Sequence, residues 1–208
     1  MKIQPKNRRL GVLLSGRGSN FEAIANSIKE GSLDAEIAVV ISNVESAAGL
    51  ARARELRLND VCIPSKGRSR EHFETEALEV LRTNDVGLVV LAGFMRIISP
   101  LMMAAYPNLI LNIHPALLPS FPGLDVQKQA LLHGVKFSGC TVHLVNDAID
   151  GGPIILQAVV PVLDDDSVEA LSARILKEEH RIYSEAIGMV LSGRCEIQGR
   201  RVVVGKNG

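Results

Sequence analysis

The sequence predicts an α/β fold: one domain built on a doubly wound, mostly parallel sheet with an antiparallel portion at its edge. Three observations carry that expectation. Short, nearly continuous apolar runs recur through the first half of the chain, the pattern of strands covered on both faces. Between them lie segments whose apolar residues fall at i, i+3, i+4 and i+7, the period of an amphipathic helix. The chain has 208 residues and 47% hydrophobic content, enough for one sizeable core. Alternating strands and helices imply right-handed βαβ crossovers. No linker, repeat or low-complexity tract divides the sequence, so residues 1–208 read as a single domain, with 1–8 and about 198–208 as peripheral tails.

Arg9–Ser15 (RLGVLLS) is the first strand, closed by Gly16, and Phe21, Ile24, Ala25 and Ile28 mark the helix after it. Ala35–Ser42 (AEIAVVIS) is the second strand, followed by a helical pattern around Ala47–Leu58 and a short strand at Val61–Pro64. Ser69–Arg82 repeats the helix pattern through Phe73, Ala77, Val80 and Leu81, and leads into Val86–Ala92 (VGLVVLA), the strongest central strand. Leu109–His114 is a strand that runs into a proline-rich loop, HPALLPSFPG, and a helix starts at Asp125. Ser138–Val145 and Ile154–Val162 have β character and suit an antiparallel pair at the sheet edge. Ser167 is placed to cap a last long helix through Leu171, Ile175, Ile182 and Met189, and Arg200–Lys206 is a basic tail expected to pair loosely or fray.

Composition removes several classes of function. Lys plus Arg and Asp plus Glu number 23 each, so no net field draws the chain to nucleic acid or to an anionic membrane. Aromatic content of 3% without Trp also argues against stacking platforms for single strands. There is no run of about 18 apolar residues to span a membrane, and Val12–Leu14 is far too short for a secretory core, so the expected location is the cytoplasm. Cys62, Cys140 and Cys195 are odd in number and widely spaced, which points to reduced thiols and to neither a disulfide framework nor a zinc site.

Three motifs carry chemistry. Ser15-Gly16-Arg17-Gly18-Ser19-Asn20 lies between the first strand and the first helix, where small residues and a helix N-terminus suit a phosphate. A tight βα turn with Ser19 and Glu22 as a capping box is the competing reading. The loop is a poor dinucleotide fingerprint, because Phe21 takes the third glycine position and no Asp or Glu ends the second strand at Ser42-Asn43. Leu111-Asn112-Ile113-His114-Pro115 ends a strand, with Asn112 and His114 on one face roughly 6 to 7 Å apart. Pro115 stops the strand there. An amide N–H donates to a developing oxyanion and an imidazole moves a proton near neutral pH, although both side chains also suit a buried, satisfied pair. Asp150-Gly151-Gly152-Pro153 is either a turn or a carboxylate that favours the charged imidazolium of His114.

Taken together, SGRGSN (Ser15–Asn20), LAGFMRIIS (Leu91–Ser99), LNIHPALLPSFPG (Leu111–Gly123) and DGGPIILQ (Asp150–Gln157) make the sequence resemble the phosphoribosylglycinamide formyltransferases, folate-dependent enzymes of purine synthesis, over about residues 9–192. The resemblance implies a Rossmann-like fold. It also implies formyl transfer from the co-substrate 10-formyltetrahydrofolate to the glycinamide amine of 5-phosphoribosylglycinamide, without a metal. By the same resemblance Asn112, His114 and Asp150 are the catalytic trio, and Gly18, Ser19, Asn20, Lys177 and Glu179 hold the ribotide. Leu176 departs from the family, whose members carry Lys or Gln there, and Lys177 stands beside it. Arg70, Met95, Arg96, Ile97, Ile98, Asn112, Asn146, Asp147 and Asp150 are implied folate contacts, although Met95–Ile98 read as core without the resemblance. His143, on a strand with Thr141 on the same face, is taken as supporting structure, and His72, His133 and His180 as surface or helix residues.

The Leu118–Pro119 bond is expected to be cis, chiefly on the resemblance. Methionyl-tRNA formyltransferases and formyltetrahydrofolate hydrolases share the LNIHPxLLP core but carry a further domain, for which 208 residues are expected to leave no room. The expected partners are the two small molecules alone, with no nucleic acid and no membrane, for a monomer or homodimer.

Overall fold

In the computed structural model, which describes residues 1–205, the apolar runs of the first half are strands of one sheet. They are β1 (Arg9–Leu14), β2 (Glu36–Ser42), β3 (Asp60–Cys62) and β4 (Leu88–Leu91), separated by α1 (Ser19–Lys29), α2 (Ala48–Glu55) and α3 (Arg70–Thr83). α4 (Pro100–Ala105) then leads to β5 (Ile110–His114), α5 (Val126–Leu132), β6 (Phe137–Leu144) and β7 (Ile154–Pro161). The long α6 (Val168–Leu191) precedes β8 (Cys195–Gln198) and β9 (Arg201–Val204).

The strand order is β3-β2-β1-β4-β5-β6-β7-β9-β8. β1 pairs in parallel with β2 and β4, β2 with β3, and β4 with β5, in keeping with the apolar runs of β1, β2 and β4. The direction reverses at β6, which is antiparallel to both β5 and β7. After β3 the chain crosses to the other side of β1 to lay down β4. That reversal of strand order opens a crevice at the carboxyl ends of β1 and β4.

Two cores cover the two faces. On one, Phe21 and Ile24 of α1 and Ile175, Ile182 and Tyr183 of α6 pack on Leu10, Val12, Val40, Leu88 and Val90. On the other, Phe73, Ala77 and Leu81 of α3 and Met102 of α4 pack on Leu13, Val39, Ile41, Val89 and Leu91. The alternation of partners along β1 (Val12 to one side, Leu13 to the other) is the double winding written residue by residue. Tyr183, fully buried, spends its hydroxyl on the carbonyls of Leu91 and Leu111, at 2.9 and 3.1 Å, and so ties α6 to β4 and β5 close to the crevice.

Several expectations change. The antiparallel edge portion is present but larger than the expected pair: beyond β6 and β7, β9 runs parallel beside β7, with Ile154 opposite Arg201, and β8, antiparallel to β9, forms the border. The basic tail is therefore half of a hairpin through Val204; Lys206 and the rest of 206–208 lie outside the described residues. Residues 1–3 are no peripheral tail either. Ile3 is 1% exposed in the core, its N–H donates to the Cys195 carbonyl at 2.9 Å, and the Ile197 N–H donates to the Met1 carbonyl at 2.8 Å. α4 carries too few turns to show a period; Ser99 caps it, accepting the Leu101 N–H at 3.2 Å, and Pro100 opens it. Ser167 does cap α6, accepting the Ala170 N–H at 3.1 Å, and the Leu118–Pro119 bond is cis. The cysteines are free, and burial pushes the Cys140 thiol up to about 12. No helix among the described residues is long and apolar enough to cross a membrane.

Candidate active site

The glycine loop fills the crevice. Gly18 is the N-cap of α1 at φ 76°, ψ 27°, a left-handed conformation that favours glycine, and no side chain caps the helix. The capping box does not form. Ser19 is already helical, and Glu22 turns to Arg52, whose Nε lies 3.0 Å from its carboxylate. A second demand on Gly18 is steric, since a Cβ there would stand 3.0 Å from the Cα of Gly49, whose own N–H donates to the Gly16 carbonyl at 3.0 Å. The first amides of α1 are left without a side-chain acceptor beside a cleft of about 240 Å³ lined by Ser15–Asn20, Ala92, Gly93 and Met95.

α6 reaches the lining residue Asn20 from far along the sequence. Glu179, 7% exposed, accepts from Nδ2 of Asn20 at 2.8 Å. Burial pushes its carboxyl above the ordinary range, against the opposing pulls of the Asn20 hydrogen bond and of His114. Asn20 keeps its own Oδ1 buried and without a partner among the described residues, an acceptor left for a donor from outside the chain. Lys177 does not join them. Two residues along a helix are about 200° apart in azimuth, so α6 turns Lys177, which is exposed, away from the face of Glu179.

Strand register brings the central polar group together. Asn112 lies opposite His143 and His114 opposite Thr141 across β5 and β6, on one face. His114, 4% exposed at the end of β5, sets Nε2 2.8 Å from the Phe121 carbonyl and Nδ1 3.4 Å from Oδ2 of Asp150. Asp150 is reached by no two-residue hairpin. The connection between β6 and β7 is a longer loop in which Asp150 adopts φ 50° and Oδ2 also accepts the Gly123 N–H at 2.9 Å. Gly152 permits this path, since a Cβ there would meet the Leu144 carbonyl oxygen at 1.8 Å.

His143 has a specific supporting contact. Its Nδ1 lies 3.0 Å from the Leu144 carbonyl, which fixes the neutral tautomer with Nε2 as acceptor for the Asn112 amide at 3.2 Å. Burial holds this imidazole below the usual histidine range, although the Leu144 carbonyl and Asp150, 3.7 Å away, pull the other way. A neutral His143 therefore orients Asn112. Further along the row, Thr141 donates to the Ala116 carbonyl at 2.7 Å and accepts the Leu118 N–H at 3.0 Å, and Gln157 donates to the Leu118 carbonyl at 3.0 Å; together they pin the loop that follows His114. The alternation of β6 hinted at this face; the register that makes the contacts is visible only in three dimensions.

The segment Gly93–Ser99 rims the other side of the cleft. Met95 is 72% and Ile97 53% exposed, a poor fit to a core role, whereas Ile98 is buried beneath them with Phe73 and Met102. Arg96 lies over the ring of Phe73, 5.4 Å from its centroid, and Phe73 stacks on Phe94 at 5.8 Å. Arg70 is exposed in the first turn of α3, three residues before Phe73. Asn146 accepts the Ala148 N–H at 3.1 Å and starts the turn that leads to Asp150, leaving Asp147 and Ile149 exposed.

Residues 8–187 match the family profile described as formyl transferase. The chain belongs to the formyl transferase family. It is 42% identical over 187 residues to the phosphoribosylglycinamide formyltransferase of Escherichia coli (strain K12), covering 89% of this chain and 88% of that one. It is 41% identical over 198 residues to the trifunctional purine biosynthetic protein adenosine-3 of Drosophila melanogaster, covering 94% of this chain but spanning only 15% of that much longer protein. Among solved structures, the crystal structure of glycinamide ribonucleotide transformylase 1 from Symbiobacterium toebii is 51% identical, with a TM-score of 0.93 over 95% of this chain and 94% of that one. In this formyl transferase chain the crevice, the polar row on β5 and β6 and the Asp150 loop all lie within the matched residues.

Proposed function

We propose that the chain transfers a formyl group from 10-formyltetrahydrofolate to the glycinamide amine of 5-phosphoribosylglycinamide. The observation that carries this reading is the meeting of His114, Asp150 and a histidine-oriented Asn112 beside an uncapped helix N-terminus. The names borne by the Escherichia coli and Symbiobacterium toebii relatives support it. Fit to the two substrates is supported at both ends of the cleft. The orphaned Oδ1 of Asn20 and the free amides of α1 suit a phosphoribosyl group, and the exposed apolar side chains of Met95, Ile97 and Ile149 suit a flat aromatic donor.

When bound, the folate supplies the formyl carbon at its N10. The carbon–N10 bond breaks as the bond from carbon to the glycinamide nitrogen forms, and one amine proton passes in net to N10. Asn112, with one amide hydrogen directed to His143, turns the other to the formyl oxygen as charge gathers there. His114 donates to the same oxygen from Nε2 once the substrate takes the place of the Phe121 carbonyl. Asp150, on the Nδ1 side of the ring, holds the imidazole in place and relays the amine proton through a water. The phosphate sits on Gly18, Ser19 and Asn20, with Glu179 beside the amine end. Lys177 is left out of this assignment.

Mixing the purified chain with 10-formyltetrahydrofolate and the ribotide and following folate absorbance tests the reading. Ribotide-dependent conversion is the expected result. Absence of turnover by folded protein overturns it, and formate release that is independent of the ribotide would mark a hydrolase instead.

A further inference from the structure

A side-chain chain runs across the carboxyl ends of four strands, and the roles assigned above do not use it. Ser15, just past β1, accepts the Met95 N–H on Oγ at 2.8 Å and donates from the same oxygen to Oδ1 of Asn43 at 2.6 Å. Asn43, just past β2, donates from Nδ2 to Oγ of Ser65 at 3.1 Å, and its carbonyl accepts the Ser65 N–H at 3.2 Å. Ser65, beyond β3, offers its carbonyl to Arg96 at 3.4 Å. Both ends of the chain therefore finish on the Met95–Arg96 backbone and side chain, past β4. Asn43 stands where a dinucleotide-binding enzyme places its ribose carboxylate. Here that position is an amide, and its two ends are both committed inside the protein.

We propose that Ser15 and Asn43 are positioning residues for the formyl donor, holding the Gly93–Ile98 rim in the shape that receives the folate. The inference rests on the function proposed above. Phe94 and Ile98 pack with Phe73, whereas Met95 and Ile97 between them project into solvent, so the backbone between those two anchors is tied by polar contacts. Ser15 N–H adds one more, donating to the Gly93 carbonyl at 3.1 Å. The Ser15 hydroxyl points to β2 and β4 and away from Gly18–Asn20, although both belong to one loop. Its loss should therefore loosen the donor side and spare the ribotide side.

The test compares Ser15→Ala, Asn43→Ala, the double variant and Ser15→Thr in the full chain. The expected result is a rise of about fivefold to tenfold in KM for 10-formyltetrahydrofolate in each alanine variant, with ribotide KM changed less than about twofold. The double variant should match the worse single one, because both cut the same chain. Ser15→Thr, which keeps the hydroxyl, should restore the donor KM. Amide hydrogen exchange across 93–98 should quicken about tenfold in the alanine variants, a readout that needs no turnover. Equal rises in both KM values overturn the proposal, as do active variants with unchanged donor KM and unchanged exchange. A wild-type chain that binds neither substrate nor turns them over overturns the function beneath it, and unaltered wild-type activity separates the two failures.

Discussion

Asp150 is held by backbone more than by packing, which makes it a clean residue to change. Its φ of 50° is one that Asn adopts as readily as Asp, and the Gly123 N–H finds an acceptor in either. Asp150→Asn should therefore keep the loop and remove only the charge facing His114. The expected kcat loss is roughly 10²- to 10⁴-fold, read from steady-state kinetics beside a thermal melt. A loss of less than a few-fold at unchanged Tm would make Asp150 a turn residue. Glu179 offers the opposite bargain. A carboxyl whose folded-state pKa is raised by burial binds its proton more tightly in the native chain, so folding stability falls as pH rises from the ordinary carboxyl value through the raised one. Glu179→Gln, which still accepts from Asn20, should raise Tm at pH 7.5 and lose that advantage as the pH falls toward 4.5, the ordinary value. The same change should raise ribotide KM by about tenfold or more, the worth of a charge-assisted hydrogen bond. Asn112, His114 and Asp150 were legible in the sequence because a strand-ending proline and a double glycine mark them. The hold of His143 on Asn112 was not, because it depends on the pairing of β5 with β6, and the Phe121 carbonyl contact leaves no side-chain signature at all.

Among the elements, α1 matters most for what its first turn lacks. Gly18→Val puts a β-branched side chain at φ 76° and against the Cα of Gly49, which both strains the turn and blocks the approach of an anion to the amides. Ribotide KM should rise at least about tenfold while folate binding stays within about twofold, measured by titrating each substrate separately. Collapse of folate affinity with intact ribotide affinity would reverse the two ends of the cleft. The strand-to-helix alternation of the first half could be read directly because each element is long enough to show its period. α4 could not, having six residues, and the capping box misled because Ser19 and Glu22 match its spacing while Arg52, far along the chain, takes the glutamate.

For the molecule as a whole, the parallel half of the sheet was written in unbroken apolar runs, whereas the border strands were hidden in a tail whose composition looks basic and soluble. What converts that tail into structure is Ile3, which no periodicity announces. Ile3→Ala should cost about 2–5 kcal/mol, the usual range for emptying such a site, and loosen the β8–β9 hairpin, with kcat unchanged well below Tm. Thermal melts and kinetics at 25 °C together check it; a melt unaltered within error would show the N-terminal contact to be incidental. α6 has a different kind of reach. It brings Glu179 to Asn20 across a separation of 159 residues, and Tyr183 to Leu91 and Leu111 across 92 and 72. A chain made on the ribosome emerges N-terminus first. Its glycine turn is outside long before the helix that packs behind it has been translated. Until residues 168–191 have cleared the exit tunnel, the nascent protein holds neither the buried carboxylate nor the tyrosine tie, so catalytic competence arrives late and all at once.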